Sequence, residues 1–486
     1  MFSRHLARLV CASLLLSLFP LRGEENLWPF LVRRHDLVTN TTSTEVLGPL
    51  FFARSGLAGE QKGMRPLYMN TTSVEGVTTG NFLYPFFTWR REQDYRTFSF
   101  FQLVNLRNDE PADGPPDKRF DVWPFYFSRT TPDPEQNYRA LFPIAGTVKN
   151  KFGKDQIKFV LFPLYGQVEK NGGRTTHAPF PFLRFIGGEG YSGFEFWPLF
   201  GRNRHENDYD RQFWIWPLGY KSVTHLDSPV PDVAFGVLPF YSRDTGPGYI
   251  RENYAWPFFG YTDRTEPYQY HETRYFWPFL VQGRGDQRFI NRWAPFYTHS
   301  EIKGYDKTWL MWPLYRHSTW EADGVAQKKD TVLFFFWWSL QQQSLSNPNA
   351  APAHKRHLWP LFSSWDNGAG NKQVQALSPF EVFFPNNDTV RRLWTPLFSL
   401  YRYERTPDTS ERHALLWNAA TWRRGPESRE FHLGPLLSVQ TDATRRRVAF
   451  GRGIFGWHRP AGERARFFLF DFHPDAAMKA SQATSP

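Results

Sequence analysis

The chain is almost without cysteine. One residue, Cys11, stands among 486. That excludes a disulfide framework and any cysteine-based metal centre. Long apolar runs are scarce as well. Leu9 to Leu21 is the longest, and Val332 to Trp338 is the longest later one. Neither reaches the ~20 residues that a membrane-crossing helix needs. With 38 Pro and 35 Gly punctuating the chain and aromatics favouring strands, a helical bundle is nearly excluded. There is no His-Glu-x-x-His, no Gly-x-Ser-x-Gly and no phosphate-cradling Gly-Lys-Ser/Thr. No catalytic constellation stands out, so an enzyme is not expected, and neither a cofactor nor a metal is called for.

Aromatic residues are abundant: 48 Phe, 21 Tyr and 20 Trp make 18% of the chain. Aromatics favour strands, so the composition points to an all-β protein. Lys and Arg outnumber Asp and Glu by 58 to 47, a formal charge of +11.

The amino terminus has its own pattern. Arg4, His5 and Arg8 precede the apolar run and no acidic residue interrupts them. A basic start followed by a short apolar segment reads as a secretory signal peptide, assigned to residues 1–23. Its removal takes Arg4, Arg8 and Arg22 and leaves +8, with no cysteine in the remainder. The expected location is therefore the cell envelope, in the outer membrane or periplasm.

A repeat organises residues 24–472, read as one β-repeat domain, with 473–486 as a disordered tail. The unit is aromatic–Pro–(Leu/Phe)–aromatic, as in Trp123-Pro124-Phe125-Tyr126, Trp197-Pro198-Leu199-Phe200 and Trp312-Pro313-Leu314-Tyr315. Nineteen prolines from Pro29 to Pro435 mark it, most of them 17–22 residues apart. Degenerate copies near Phe101, Phe335, Trp417 and Phe455 bring the total to 23, with a mean step near 19. This period excludes ankyrin and tetratricopeptide arrays, whose helical units run to about 33–34 residues.

Turn signals alternate with the motif, including Gly285-Asp286, Lys303-Gly304, Asp323-Gly324, Asn386-Asn387-Asp388 and Pro407-Asp408. The spacing predicts one long strand per repeat with the motif near its middle, and an antiparallel up-and-down meander overall. Gln341 to His357 reads as the one long connection, and Arg466 to Phe472 as the last strand. Such a sheet closes into a large barrel or barrel-like form. The alternative is a toroid of hairpins, propeller-like, with Trp-Pro at a hub corner. Between Trp309 and Tyr315 the chain is apolar at every position, so both faces of the strand centre are expected to be covered, with Trp312 and Trp277 buried or facing lipid. A regular ladder cannot carry proline, so Pro198, Pro217, Pro257, Pro278 and Pro313 should share one level where it bends or breaks.

Clusters of charge remain. His205, Glu206, Asp208 and Asp210 carry metal-ligand chemistry but read best as a solvated turn. His271-Glu272 and His473-Pro474-Asp475 lack a third partner. His354-Lys355-Arg356-His357 reads as a charged flank. Arg391-Arg392 and Arg445-Arg446-Arg447 are the densest basic runs, spread over strand ends and not gathered for nucleic acid. Asn40, Asn70 and Asn387 begin glycosylation sequons. The expected partners are lipid, a membrane or glycan. Two functions fit: a membrane-inserted or membrane-associated envelope protein that passes or holds an apolar or amphipathic molecule, and a soluble exported scaffold that binds glycan through its aromatics.

Overall fold

The structure is a computed structural model that describes residues 24–36, 40–384 and 387–471. It is 59% strand and 3% helix, a single antiparallel meander of 45 strands from β1 (Glu24–Leu27) to β45 (Arg466–Leu469). Two compact units divide it. One comprises residues up to Tyr84 together with those from Trp359 onward, and the other runs from Pro85 to Leu358.

The repeat is a pair of strands and not one. Strands are mostly six residues long, and the motif lies in the turn between two of them. Around Pro313, the strand Tyr305–Leu310 ends, Met311 to Leu314 forms the turn, and Tyr315–Ala322 begins. The run from Trp309 to Tyr315 is thus a strand end, a turn and a strand start, which is why it shows no alternation. The reading of one long strand with a central motif is corrected accordingly: about 19 residues accommodate two six-residue strands and two turns.

Proline costs nothing in such a turn. Pro198, Pro217, Pro257, Pro278 and Pro313 each join consecutive strands at the same end of their hairpins, and so form the expected row. Neighbouring turns are bonded to each other. The Trp312 N–H donates to the Pro295 carbonyl at 2.7 Å, and the Trp216 N–H to the Pro198 carbonyl at 2.7 Å. The row therefore extends the ladder one step past the strands. Lys303-Gly304 and Asp323-Gly324 form tight turns at the opposite ends, and both residues of each have positive φ. The Gln341–His357 segment is mostly strand: Gln341 pairs with His354, which leaves only 345–352 as connection. The last strand is Arg466–Leu469, and Phe472 and His473-Pro474-Asp475 lie outside the described residues.

One repeat departs from the rule. Between Pro379 and Pro396 the chain forms α1 (Asp388–Leu393) and α2 (Thr395–Phe398) where a hairpin would stand. Asn387 caps α1 by accepting from the Val390 N–H at 3.0 Å, and its amide donates to the Tyr84 hydroxyl at 2.9 Å. Val390 and Leu393, three apart on one helix face, are buried, Leu393 against Phe52 and Met69.

Directly opposed residues share a face, and successive residues alternate. In the second unit the positions next to the motif turns include Phe276, Leu280, Trp293, Tyr297, Leu310 and Tyr315, all on one face. One step further lie Arg274, Val281, Arg292, Thr298, Trp309 and Arg316, on the other face. The buried side chains belong almost entirely to this second face: Arg274, Glu272, Val281, Ile290, Ser300 and Ser318 among them. Small residues opposite rings make the close packing possible. A Cβ on Gly201 would lie 2.3 Å from the Phe213 ring, and one on Gly236 2.4 Å from that of Tyr220. The result is a sheet whose buried face mixes polar side chains with rings such as Phe127, Tyr138, Phe159 and Trp338, and whose exposed face carries further aromatics beside the motif turns.

Candidate functional site: an apolar edge and a charged cleft

In each unit the motif turns present apolar side chains to solvent. Phe125, Ile215, Trp216, Phe240, Phe296 and Trp312 do so in the second unit, Phe240 being 74% exposed and Trp312 55%. Phe30, Leu50 and Leu436 do so in the first. Trp312 and Trp277 are thus not buried, and that part of the sequence expectation is corrected: they sit in turns, outside the packed face. The exposed strand face continues the edge with Phe196, Phe200, Trp214, Trp293 and Leu310. The opposite turns are polar, for example Asn171-Gly172, Asn207-Asp208, Asp286-Gln287 and Asp323-Gly324. A row of exposed apolar side chains is the kind of surface that marks an interaction site.

The buried face of the first unit is charged. Arg412 donates two hydrogen bonds to the Glu24 carboxylate at 2.7 and 2.9 Å, and also donates to the Asn418 side chain at 2.8 Å. Asn418 donates to Glu45 at 2.7 Å, Glu45 accepts from Arg65 at 3.0 Å, and Arg65 donates to the Arg392 carbonyl at 2.8 Å. Arg34 pairs with Glu404, which Arg402 approaches at 2.8 Å. Burial alone would raise the Glu24 carboxyl, but the attraction and hydrogen bonds of Arg412 override it and hold it at about 2. Glu404, buried beside Arg34, Arg402 and Arg412, is likewise held well below the carboxylate range. These groups, Glu24 apart, line a cleft of about 590 Å³, and α1 delivers Arg391 and Arg392 to its wall.

The second unit has a cleft of about 580 Å³ whose arginines are neutralised. Arg107 pairs with Asp109, and both Arg119 and Arg129 pair with Asp117.

The other clusters are not assembled as sites. His205 stacks on Tyr191 at 4.0 Å and bonds Asp208 at 3.3 Å, whereas Asp210 is taken by Arg202 at 2.6 Å. His271 bonds Asp263 on one face, and Glu272 bonds Tyr270 and Arg274 on the other. His357 is 1% exposed with its ring 4.2 Å from that of Trp338. Burial, and then Lys355 and Lys329, push its imidazole down to about 4. Arg447 is buried over Phe468 and bonds Asp471, while Arg445 lies by Asp442. Asn387 is committed to capping. Among the described residues no group of three or more His, Cys, Asp or Glu is placed to hold a metal ion. No helix among them is long and apolar enough to cross a membrane. No protein-family model matches the chain, and no curated protein matches it in sequence.

The sequence reading missed the cleft. Its members come from opposite ends of the chain, and the only local signals are the Arg391-Arg392 pair and the Asn387 cap.

Proposed function

We propose that this is an exported envelope protein that associates with a membrane by seating its apolar edge in one lipid leaflet. The observation that carries the reading is the exposed row of motif turns, Phe240 and Trp312 among them, continued by the apolar positions beside them on the exposed face. Aromatic residues, Trp above all, suit the boundary of headgroup and acyl chain. Height selects the mode of association. A motif turn and the first strand position beneath it reach roughly 5–10 Å at ~3.3 Å per residue, before polar residues such as Asn291, His299 and Thr308 follow on the same face. That matches the depth to which an interfacial segment enters one leaflet. A spanning barrel wants an apolar band of ~25 Å. The polar turns at the opposite end of the hairpins then remain in water. The basic, apolar segment at 1–23 supports export.

Flotation tests this. The full chain should rise with phospholipid vesicles in a density gradient. A variant carrying Trp216→Ser, Phe240→Ser, Phe296→Ser and Trp312→Ser should keep its strand circular dichroism and stay at the bottom. A wild-type chain that never floats would remove the membrane reading.

A further inference from the structure

The last six strands of the second unit, from Tyr297–Ile302 to Ala353–Leu358, carry no carboxylate on their more buried face. Their acidic residues, Glu301, Asp306, Glu321 and Asp330, all stand on the opposite face, where His299 takes Asp306 and His317 takes Asp330. On the face without carboxylates, one row of directly opposed residues reads Ser300, Lys307, Ser318, Lys329, Leu340 and Lys355. A lysine recurs at every second strand. Arg316 stands one row nearer the motif turns, between Trp309 and Thr331. All four cations are half-buried. Among the described residues none of them forms an ion pair. Arg316 lies over the Trp309 ring at 5.2 Å and Lys329 over that of Trp338 at 4.8 Å. Elsewhere in the unit the cations are matched: Arg274 by Glu272, Arg107 by Asp109, Arg119 and Arg129 by Asp117.

Two hydroxyls among these cations are also left over. Ser318 is 0% exposed and Thr331 3%, and neither side-chain oxygen has a hydrogen-bond partner. Ser318 lies directly between Lys307 and Lys329. Burial, and then Arg316, push the Lys329 amine below its ordinary value, the response of a cation without a counter-ion.

We propose that this row binds an acidic polysaccharide that carries a carboxylate on every second sugar. The chain lies across the strands, with Lys307, Lys329 and Lys355 meeting successive carboxylates and Arg316 beside them. Strands stand ~4.8 Å apart, so lysines on every second strand recur at roughly 9.6 Å. That is close to the advance of two sugar units along an extended glycan. From Lys307 to Lys355 the row covers about 19 Å. A single compact anion cannot bridge that distance, whereas a chain with spaced charges can. The hydroxyls of Ser318 and Thr331 supply donors for carboxylate or sugar oxygens. The attraction is between charges and weakens as salt rises. The inference stands on this face and not on the apolar edge.

Titration of the full chain with hyaluronate oligosaccharides, at fixed ionic strength, tests it. The wild type should bind hyaluronate and not neutral dextran. Lys307→Gln with Lys329→Gln and Lys355→Gln should lose about tenfold or more in affinity, as expected for removing charge-assisted bonds. Lys221→Gln with Lys328→Gln and Arg356→Gln removes the same charge from the exposed face and should bind as the wild type does. Acetylation footprinting of the wild type gives a second readout that needs no variant to fold. Hyaluronate should protect Lys307, Lys329 and Lys355 and leave Lys328 reactive. A single-stranded oligonucleotide of equal charge should bind more weakly. No binding of hyaluronate, equal losses in the two triple variants, or equal protection of Lys328 and Lys329 would overturn the proposal. So would an oligonucleotide that binds as tightly through the same lysines, which would make nucleic acid the partner.

Discussion

Glu24 and Arg412, 388 residues apart in the chain, meet in two hydrogen bonds of 2.7 and 2.9 Å, and the Glu24 side chain is 2% exposed. This pair ties the first strand of the chain to the strand Glu411–Leu415 within the first unit. Removing one member leaves the other charged and buried. Arg412→Gln should therefore cost about 3–5 kcal/mol in urea unfolding of the first unit. A loss under 1 kcal/mol would mean that the pair is open to water.

The same pair sets an acid limit. The Glu24 carboxyl is lowered to about 2 when folded, against an ordinary value of 4.5. Its contribution is fully present above pH 4.5 and is lost as pH falls toward 2. The amount is on the order of 3 kcal/mol. Glu24→Gln should flatten stability against pH across that window. If both proteins lose stability in parallel from pH 4.5 to 2, the assignment fails.

His357 defines a second, separate window in the second unit. Its imidazole is pushed down to about 4 by burial, so it stays neutral in the folded chain while an unfolded one takes a proton near 6.5. Stability should fall as pH drops from about 6.5 to 4, on the order of 3 kcal/mol in total. His357→Gln should remove that slope while leaving the Glu24 window intact. Urea midpoints at half-unit pH steps would show it, and an unchanged slope would contradict it.

Leu393 is fully buried against Phe52 and Met69 and fastens α1 to the strands of the first unit. Leu393→Ala should cost about 2–5 kcal/mol. Trp312 makes an instructive contrast. It is 55% exposed and makes an edge-to-face contact with Phe334 at 5.8 Å. Trp312→Ala should cost about 1 kcal/mol or less and weaken vesicle binding instead. Equal destabilisation by the two substitutions would place Trp312 in a packed core.

The strand content, the antiparallel meander and the row of prolines were legible in the sequence, because motif and Gly-Asp turns alternate at a fixed step. The error lay in Trp309 to Tyr315. A continuous apolar run has no period, and a turn made of Met311, Trp312, Pro313 and Leu314 looks like the centre of a buried strand. Which face is covered was also hidden. Polar Ser318 and Thr331 are buried while Trp293 is exposed, the reverse of the usual assignment. The helical repeat was masked because Pro379 and Pro396 keep the common spacing. The charged cleft had no local signature, since Arg34, Arg54, Glu404 and Arg412 become neighbours only when distant strands face each other.

The central claim is that one end of every hairpin enters lipid and the other does not. With Cys11→Ser as background, Phe240→Cys and Asp323→Cys place an environment-sensitive fluorophore on a motif turn and on a polar turn of the second unit. On adding phospholipid vesicles, the label at 240 should shift to the blue and be quenched by nitroxide-bearing lipid, while the label at 323 stays in water. Equal responses at the two positions, or none at 240, would contradict the account.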